Sequence, residues 1–327
     1  MEREVPPDLE GDMLARRRYM QRHCDHLRTA LMWEPRGHRD MYGCLLFAPH
    51  SPTAHVGVLF LHNEGYSSMC GHGIIAMTKL LVESGFPADS DAANNRAELR
   101  IDTPAGLVTA QAHFAQDGRT VERVSFANVP SFAYKLDVPL KSSSFVPLLG
   151  KDTVKVDIGF GGAFYAYVGT DELGLPPTSI VPQECDKLKQ IGVVIKHAAI
   201  KQVELVHPFE ADLGFLYGTI ITSPPHTAQH HSRNVCVFAD GEIDRSPTGT
   251  GVSGRLALLH ARNQIQPGAP AVIESIIGTS FTGIVASTTR FGPHEAIIPI
   301  VSGTAFVTGR SEFLLDPADP LRHGFIL

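Results

Sequence analysis

One short pattern occurs twice in this chain, and it limits the possible fold more than any other feature. Met69-Cys70-Gly71-His72-Gly73 opens the apolar run Ile74-Ile75-Ala76-Met77, and Pro247-Thr248-Gly249-Thr250-Gly251 opens a second run at Val252-Ser253-Gly254. The copies lie 178 positions apart in a chain of 327 residues. Apolar residues follow at helical spacing, Ile74, Met77 and Leu81 in the first copy and Val252, Leu256 and Leu259 in the second. Fifteen places after the Cys or Thr, each copy reaches a residue that tolerates left-handed backbone, Gly85 or Asn263, a common way for a helix to end. Each copy therefore predicts a helix with a Cys or a Thr at its N-terminus, and the chain reads as a duplicated unit.

That placement carries chemistry. Unpaired N–H groups and the positive end of the helix dipole stabilise a thiolate, so Cys70 is a candidate base. Thr248 sits in the same kind of place, but an alkanol does not ionise near neutral pH. Exposed N–H groups and glycines at the two helix ends suit a carboxylate. If the halves face each other, a small carboxylic acid would be held between them with a base on one side only.

The two motifs, Met69-Cys70-Gly71-His72-Gly73 and Asp244-Arg245-Ser246-Pro247-Thr248-Gly249-Thr250-Gly251, resemble the signatures of the proline racemase family, which has the diaminopimelate epimerase-like fold. Further stretches resemble it too: Glu34-Pro35-Arg36-Gly37-His38-Arg39-Asp40-Met41, Leu61-His62-Asn63-Glu64-Gly65-Tyr66, Gly161-Gly162-Ala163-Phe164-Tyr165 and Phe215-Leu216-Tyr217-Gly218-Thr219. In the racemases both motif positions are cysteine. A threonine at the second marks the family's trans-3-hydroxy-L-proline dehydratase branch, and the resemblance implies that activity here, with pyrroline-2-carboxylate and water as products and no cofactor or metal. It implies Cys70 as the catalytic base. Gly71, His72, Asp244, Thr248, Gly249 and Thr250 would bind substrate, His72 beside the ring nitrogen and Asp244 accepting from the ammonium. A homodimer is also implied. One departure stands out: the His-Thr-Gly-Gly-Glu-Pro-like first strand of the family has no match ahead of Arg17-Arg18-Tyr19-Met20.

Two other readings compete. A proline or hydroxyproline racemase or 2-epimerase would need a second acid or base that Thr248 does not offer. A catalytically silent binding protein, lacking an intact first domain, would follow from the unmatched first strand.

Bulk properties narrow the class. A length of 327 residues suits about two domains, and 43% apolar residues supply two cores. The net charge of −6 gives no electrostatic case for nucleic acid. No apolar stretch approaches the roughly 18 residues of a membrane span, and the acidic N-terminus does not read as a signal peptide. Five cysteines, an odd number without short paired spacings, suggest reduced thiols in the cytoplasm rather than disulfides or a zinc site. Cys44, Cys185 and Cys236 read as small buried hydrophobes. Arg16-Arg17-Arg18 reads as a solvated helix face.

Strand-like alternation recurs at 55–61, 98–101, 107–114, 121–126, 154–158, 164–168, 215–222, 235–238, 276–285 and 296–301, with turn signals between neighbours. Helices are predicted at about 13–32, 70–84, 183–204 and 249–262. Hairpin connections point to antiparallel sheet. The expected class is α+β: two pseudo-symmetric domains, each an antiparallel sheet curled around a central helix, diaminopimelate epimerase-like. The polar stretch Lys141-Ser142-Ser143-Ser144 with Gly150-Lys151-Asp152 marks the predicted boundary. This gives domains at 1–148 and 149–310, with a 311–327 tail that returns to the first.

Gly159-Phe160-Gly161-Gly162 precedes an aromatic, strand-like run, so it lacks the helix that a dinucleotide loop requires. His226, His230 and His231 have no carboxylate or cysteine at ligand spacing and read as a solvated loop. Arg36, His38, Arg39 and Asp40 form a charged turn that either contacts substrate or builds a salt-bridge cluster.

Overall fold

Val, Ile, Thr and aromatic residues recur at alternate positions along most of the chain, which favours strands. The computed structural model describes Pro6 and residues 9–327. Contacts divide the chain into unit 1, which runs to Val124 and includes Thr304–Leu327, and unit 2, Ser125–Gly303.

Unit 1 contains α1 (Met13–His23), α2 (Asp25–Met32), β1 (Tyr42–Phe47), β2 (Val56–His62), β3 (Tyr66–Ser67), α3 (Gly71–Glu83), β4 (Asp89–Asp91), β5 (Arg96–Thr103) and β6 (Gly106–Phe114); β7 (Val121–Ala127) runs across the division. Strand β2 pairs antiparallel with β1 and β3 and parallel with β5, which pairs antiparallel with β4 and β6. The helix predicted over 13–32 is broken at Cys24, whose φ of −129° and ψ of 15° leave the helical range. Met13, Met20, Leu27 and Met32 from the two pieces pack with Leu59, Leu61 and Tyr66. Arg16 departs from the solvated face expected of it. It is buried, and its guanidinium donates to the carbonyl of Ala48 at 2.5 Å.

Unit 2 contains β8 (Phe132–Lys141), α4 (Val146–Leu149), β9 (Thr153–Phe160), β10 (Phe164–Gly169), α5 (Cys185–Gln202), β11 (Leu216–Ser223), β12 (Ser232–Phe238), β13 (Glu242–Ile243), α6 (Gly249–Ala261), β14 (Pro270–Glu274), β15 (Ser280–Phe291) and β16 (His294–Gly303). The strands run in the order β16-β15-β14-β12-β11-β10-β9-β8. Reciprocal backbone hydrogen bonds of 2.8 Å between Ser131 and Ile297 bring the two ends of that sheet together, so it closes around α6. The sequence of α6 permits this enclosure. Gly249 to Gly254 and Leu256 to Leu259 are all buried except Arg255, and a Cβ at Gly254 would stand 2.3 Å from the hydroxyl of Tyr167. A helix apolar or small nearly all round belongs in an interior.

Two features differ from the sequence expectation. Most neighbours are antiparallel, but β2–β5, β10–β11 and β12–β14 are parallel, joined through α3, α5 and α6 respectively. Parallel neighbours need a long crossover, which a helix supplies. The division falls within β7 rather than near residue 148, because β8 pairs with β9 inside unit 2 and the 142–152 stretch is only their connection. Half of β8 is exposed, and Lys135, Asp137 and Lys141 are charged, so it gave no clear alternation. The C-terminal stretch lies with unit 1: Glu34 and Phe325 exchange backbone hydrogen bonds of 3.0 Å.

Candidate active site

Both motifs stand just ahead of a helix of 13 residues. Their C-terminal ends are the same. Phe86 N donates to Leu81 O and Gly85 N to Val82 O, while Gln264 N donates to Leu259 O and Asn263 N to His260 O. Gly85 and Asn263 have φ of 79° and 56°. This is the Schellman arrangement in both helices.

In unit 1, Cys70 caps α3 in extended backbone, with φ −144°, and is 5% exposed. Its Sγ accepts from the N–H of Gly73 at 3.3 Å, which satisfies one of the otherwise unpaired first-turn donors. A Cβ at Gly73 would lie 2.7 Å from Cε1 of Phe60 and 3.3 Å from that sulfur, so glycine is what lets the helix start pack on β2. Gly71 is buried, and His72 is half-buried with its ring edge-on to Tyr42 at 4.8 Å. Cys44 lies close enough to feel both residues. Burial pushes its thiol up to about 11, the charge of Cys70 adds to the rise, and His72 opposes it. Cys44 and Cys185 are only partly buried, whereas Cys236 is fully buried, and all five cysteines are free thiols.

In unit 2, Thr248 begins α6 with φ 67° and ψ 99°. For a β-branched residue this is left-handed strain, of the order of 1–3 kcal/mol. Its hydroxyl does not cap the helix but donates to Oδ2 of Asp244 at 3.0 Å. The turn is closed by Ser246 N donating to Oδ1 of Asp244 at 2.8 Å and Thr248 N donating to Ser246 Oγ at 3.0 Å. Thr250 Oγ1 lies 2.7 Å from the Tyr165 hydroxyl, and Tyr167 donates to Gly251 O at 2.9 Å. Burial raises both phenols well above their ordinary range and keeps them neutral. Asn128 donates to Ser253 Oγ and to Gly161 O, both at 2.8 Å.

The seven candidate residues thus form two groups. Cys70, Gly71 and His72 start α3; Asp244, Thr248, Gly249 and Thr250 form the turn into α6. Sequence reasoning took Cys44 for a small buried hydrophobe and gave Tyr42, Asn128, Tyr165 and Tyr167 no role. The last two stand two apart on β10 and so share a face, a signal available in the alternation. Gly159 and Phe160 end β9, and Gly161 and Gly162 turn the chain into β10, a strand and not a nucleotide-binding helix.

Two further expectations change. The histidine loop is not merely solvated. Glu274, 2% exposed, accepts from the backbone N–H of His226 and Thr227, from the His230 ring at 2.8 Å and from Arg233. Burial raises this carboxyl, but the hydrogen bonds outweigh it and bring the group down to about 2. The partner lies 44 residues away, out of reach of local spacing. The charged turn at 36–40 serves the tail instead: Arg36 donates to Leu314 O at 3.2 Å and Arg39 to Leu327 O at 2.5 Å.

The paired units define the class as α+β of the diaminopimelate epimerase-like type. Among solved structures, a probable proline racemase from Agrobacterium radiobacter K84, with bound carbonate, aligns at TM-score 0.87 and 31% identity over 99% of this chain and 91% of the other. A hydroxyproline epimerase from Agrobacterium vitis, with bound trans-4-hydroxy-L-proline, aligns at 0.84 and 29%, over 98% and 88%. The family model for proline racemase matches residues 5–326, and the chain belongs to the proline racemase family. The trans-3-hydroxy-L-proline dehydratase of Colwellia psychrerythraea is 45% identical over 322 residues, which is 98% of this chain and 87% of that protein. The human protein of the same name is 41% identical over 324 residues, covering 98% and 89%.

Proposed function

We propose that this protein is a hydro-lyase that converts trans-3-hydroxy-L-proline to pyrroline-2-carboxylate and water, with Cys70 as the base. The observation that carries this reading is the asymmetry of the motif pair, a cysteine starting α3 and a threonine starting α6. The full-length likeness to dehydratases at 41–45% identity supports it.

The α-hydrogen is weakly acidic, so the carboxylate must sit where negative charge developing beside it is stabilised. The N–H groups of Gly71, His72, Gly249 and Thr250 are the donors for that role. Cys70 takes the α-proton as general base, and the C–H electron pair forms the ring double bond as the C3–O bond breaks. In the trans isomer the α-hydrogen and the 3-hydroxyl share a ring face. The proton held by Cys70 therefore passes to the departing hydroxide, giving water. The enamine then tautomerises to the cyclic imine, and the balance needs no oxidant or cofactor.

Thr248 does not return a proton to the α-carbon. Its own hydrogen points to Asp244, so its oxygen is left to accept from the substrate ammonium, with Asp244 supplying the negative charge. A racemase lacks its second thiol here. The free thiols fit a reducing cytoplasm, and no described helix is long and apolar enough to cross a membrane. A homodimer is inferred from the family; light scattering on the purified chain tests it. The decisive assay for function is turnover of trans-3-hydroxy-L-proline beside proline and the 4-hydroxy isomers. Dehydration of the first alone is expected, and epimerisation of the others without dehydration overturns the reading.

A further inference from the structure

The charged turn at residues 36–40 leads into β1, and the first residue of that strand has no part in the reading above. Tyr42 and Cys44 alternate along β1, opposite His62 and Phe60 of β2, so all four side chains lie on one face. That face looks at the start of α3, because the Phe60 ring meets Gly73 and the Cys44 thiol feels Cys70 and His72. Tyr42 is held at three points there. Its hydroxyl donates to Oγ of Ser67 at 2.5 Å, its ring stacks on His62 at 5.8 Å, and the His72 ring meets it at 4.8 Å with the planes 70° apart. Two of these supports are buried. Ser67 is fully buried on β3, three residues before Cys70, and the Nδ1 of buried His62 accepts from Glu64 N at 3.2 Å.

Tyr42 therefore bridges the segment entering Cys70, through Ser67, and the first helical turn leaving it, through His72. The two ring nitrogens of an imidazole are not equivalent toward a ligand, so a rigid aromatic ring packed edge-on against His72 bears on which nitrogen is presented. We propose that Tyr42 is a positioning residue that fixes the plane of the His72 imidazole at the start of α3, and with it the nitrogen presented to the substrate. This rests on the reading that His72 contacts substrate.

The test combines Tyr42→Leu, Tyr42→Phe, His72→Ala and the double variant Tyr42→Leu/His72→Ala. Misplacing a contact group costs up to about 100-fold in rate, and Tyr42→Leu should lose kcat on that scale with a smaller change in KM. Tyr42→Phe keeps the ring and loses only the Ser67 hydrogen bond, for about a 5-fold loss. In the double variant the Leu change should add almost nothing to His72→Ala; full additivity overturns the proposal. Proton NMR of the histidine side chains, with His72→Ala assigning the signal, gives a readout independent of turnover. The His72 ring resonance should move in Tyr42→Leu, and an unmoved signal overturns the proposal even in a protein that dehydrates nothing. Should the Leu variant fail to fold, the same resonance in Tyr42→Phe decides: a moved line with the small loss of kcat supports the proposal, and an unchanged line position with unchanged kcat overturns it.

Discussion

Helices α3 and α6 are copies with the same length and the same C-terminal closure, yet they start differently and live in different surroundings. With the 178-residue offset, Ala76 of α3 corresponds to Gly254 of α6, and Leu80 to Leu258. Ala76 is exposed and Leu80 is 47% exposed, whereas Gly254 is buried and Leu258 is 4% exposed. One helix lies on a sheet; the other is wrapped by one. At the N-termini the contrast continues. Cys70 spends its sulfur on the cap of its own helix, in relaxed backbone. Thr248 sits in strained backbone and turns its hydroxyl away to a carboxylate. The two helices share one frame and differ in the chemistry of the residue that starts them.

Substitutions at equivalent places can break that comparison. The largest effect is expected at Cys70. Cys70→Ser removes the base and should lower kcat for trans-3-hydroxy-L-proline by about 10³-fold, the middle of the range for general base catalysis, with little change in melting temperature. Turnover within 10-fold of the parent would mean that the thiol is not the base. Thr248→Cys makes the two helix starts alike. It should introduce exchange of the proline α-hydrogen in heavy water, followed by NMR, and lower dehydration. Complete retention of the hydrogen would show that the second position is not within reach of the α-carbon.

Stability should separate the helices in the opposite sense. Gly254→Ala forces a Cβ against the Tyr167 hydroxyl and should cost about 1–3 kcal/mol in urea unfolding. Ala76→Gly, its counterpart on the open helix, should cost only about 0.5–1 kcal/mol through backbone entropy. Equal losses would contradict the enclosure of α6.

The smallest expected effect concerns pH. Glu274 has a folded value of about 2, below the ordinary carboxyl value of about 4.3. A depressed group contributes stability in full above its unfolded value, and the contribution disappears as pH falls from about 4 through 2. Glu274→Gln should therefore narrow the stability difference from the parent as the buffer is taken from pH 6 to pH 3. A gap that stays constant across that range would place the charge outside the folding balance.

Periodicity and end signals made α3, α6 and most strands legible, since the pattern of apolar residues and the Gly85 and Asn263 stops act locally. Strand β8 escaped because exposure on both faces erases alternation. The partnership of Glu274 with the histidine loop escaped because it spans distant strands. Alternation put Tyr165 and Tyr167 on one face of β10, but what their hydroxyls and the Tyr42 ring reach is set by distant segments.

By itself, then, the sequence determined that two like helices would each begin with a candidate functional side chain, and that only one of these could ionise. Tertiary structure decided which helix would be enclosed, and that the threonine hydroxyl would turn to Asp244. It also decided that a tyrosine from β1 would stand against His72. Local backbone preference is written in neighbouring residues, whereas burial and hydrogen-bond partnership depend on segments far apart in the chain that only folding brings together.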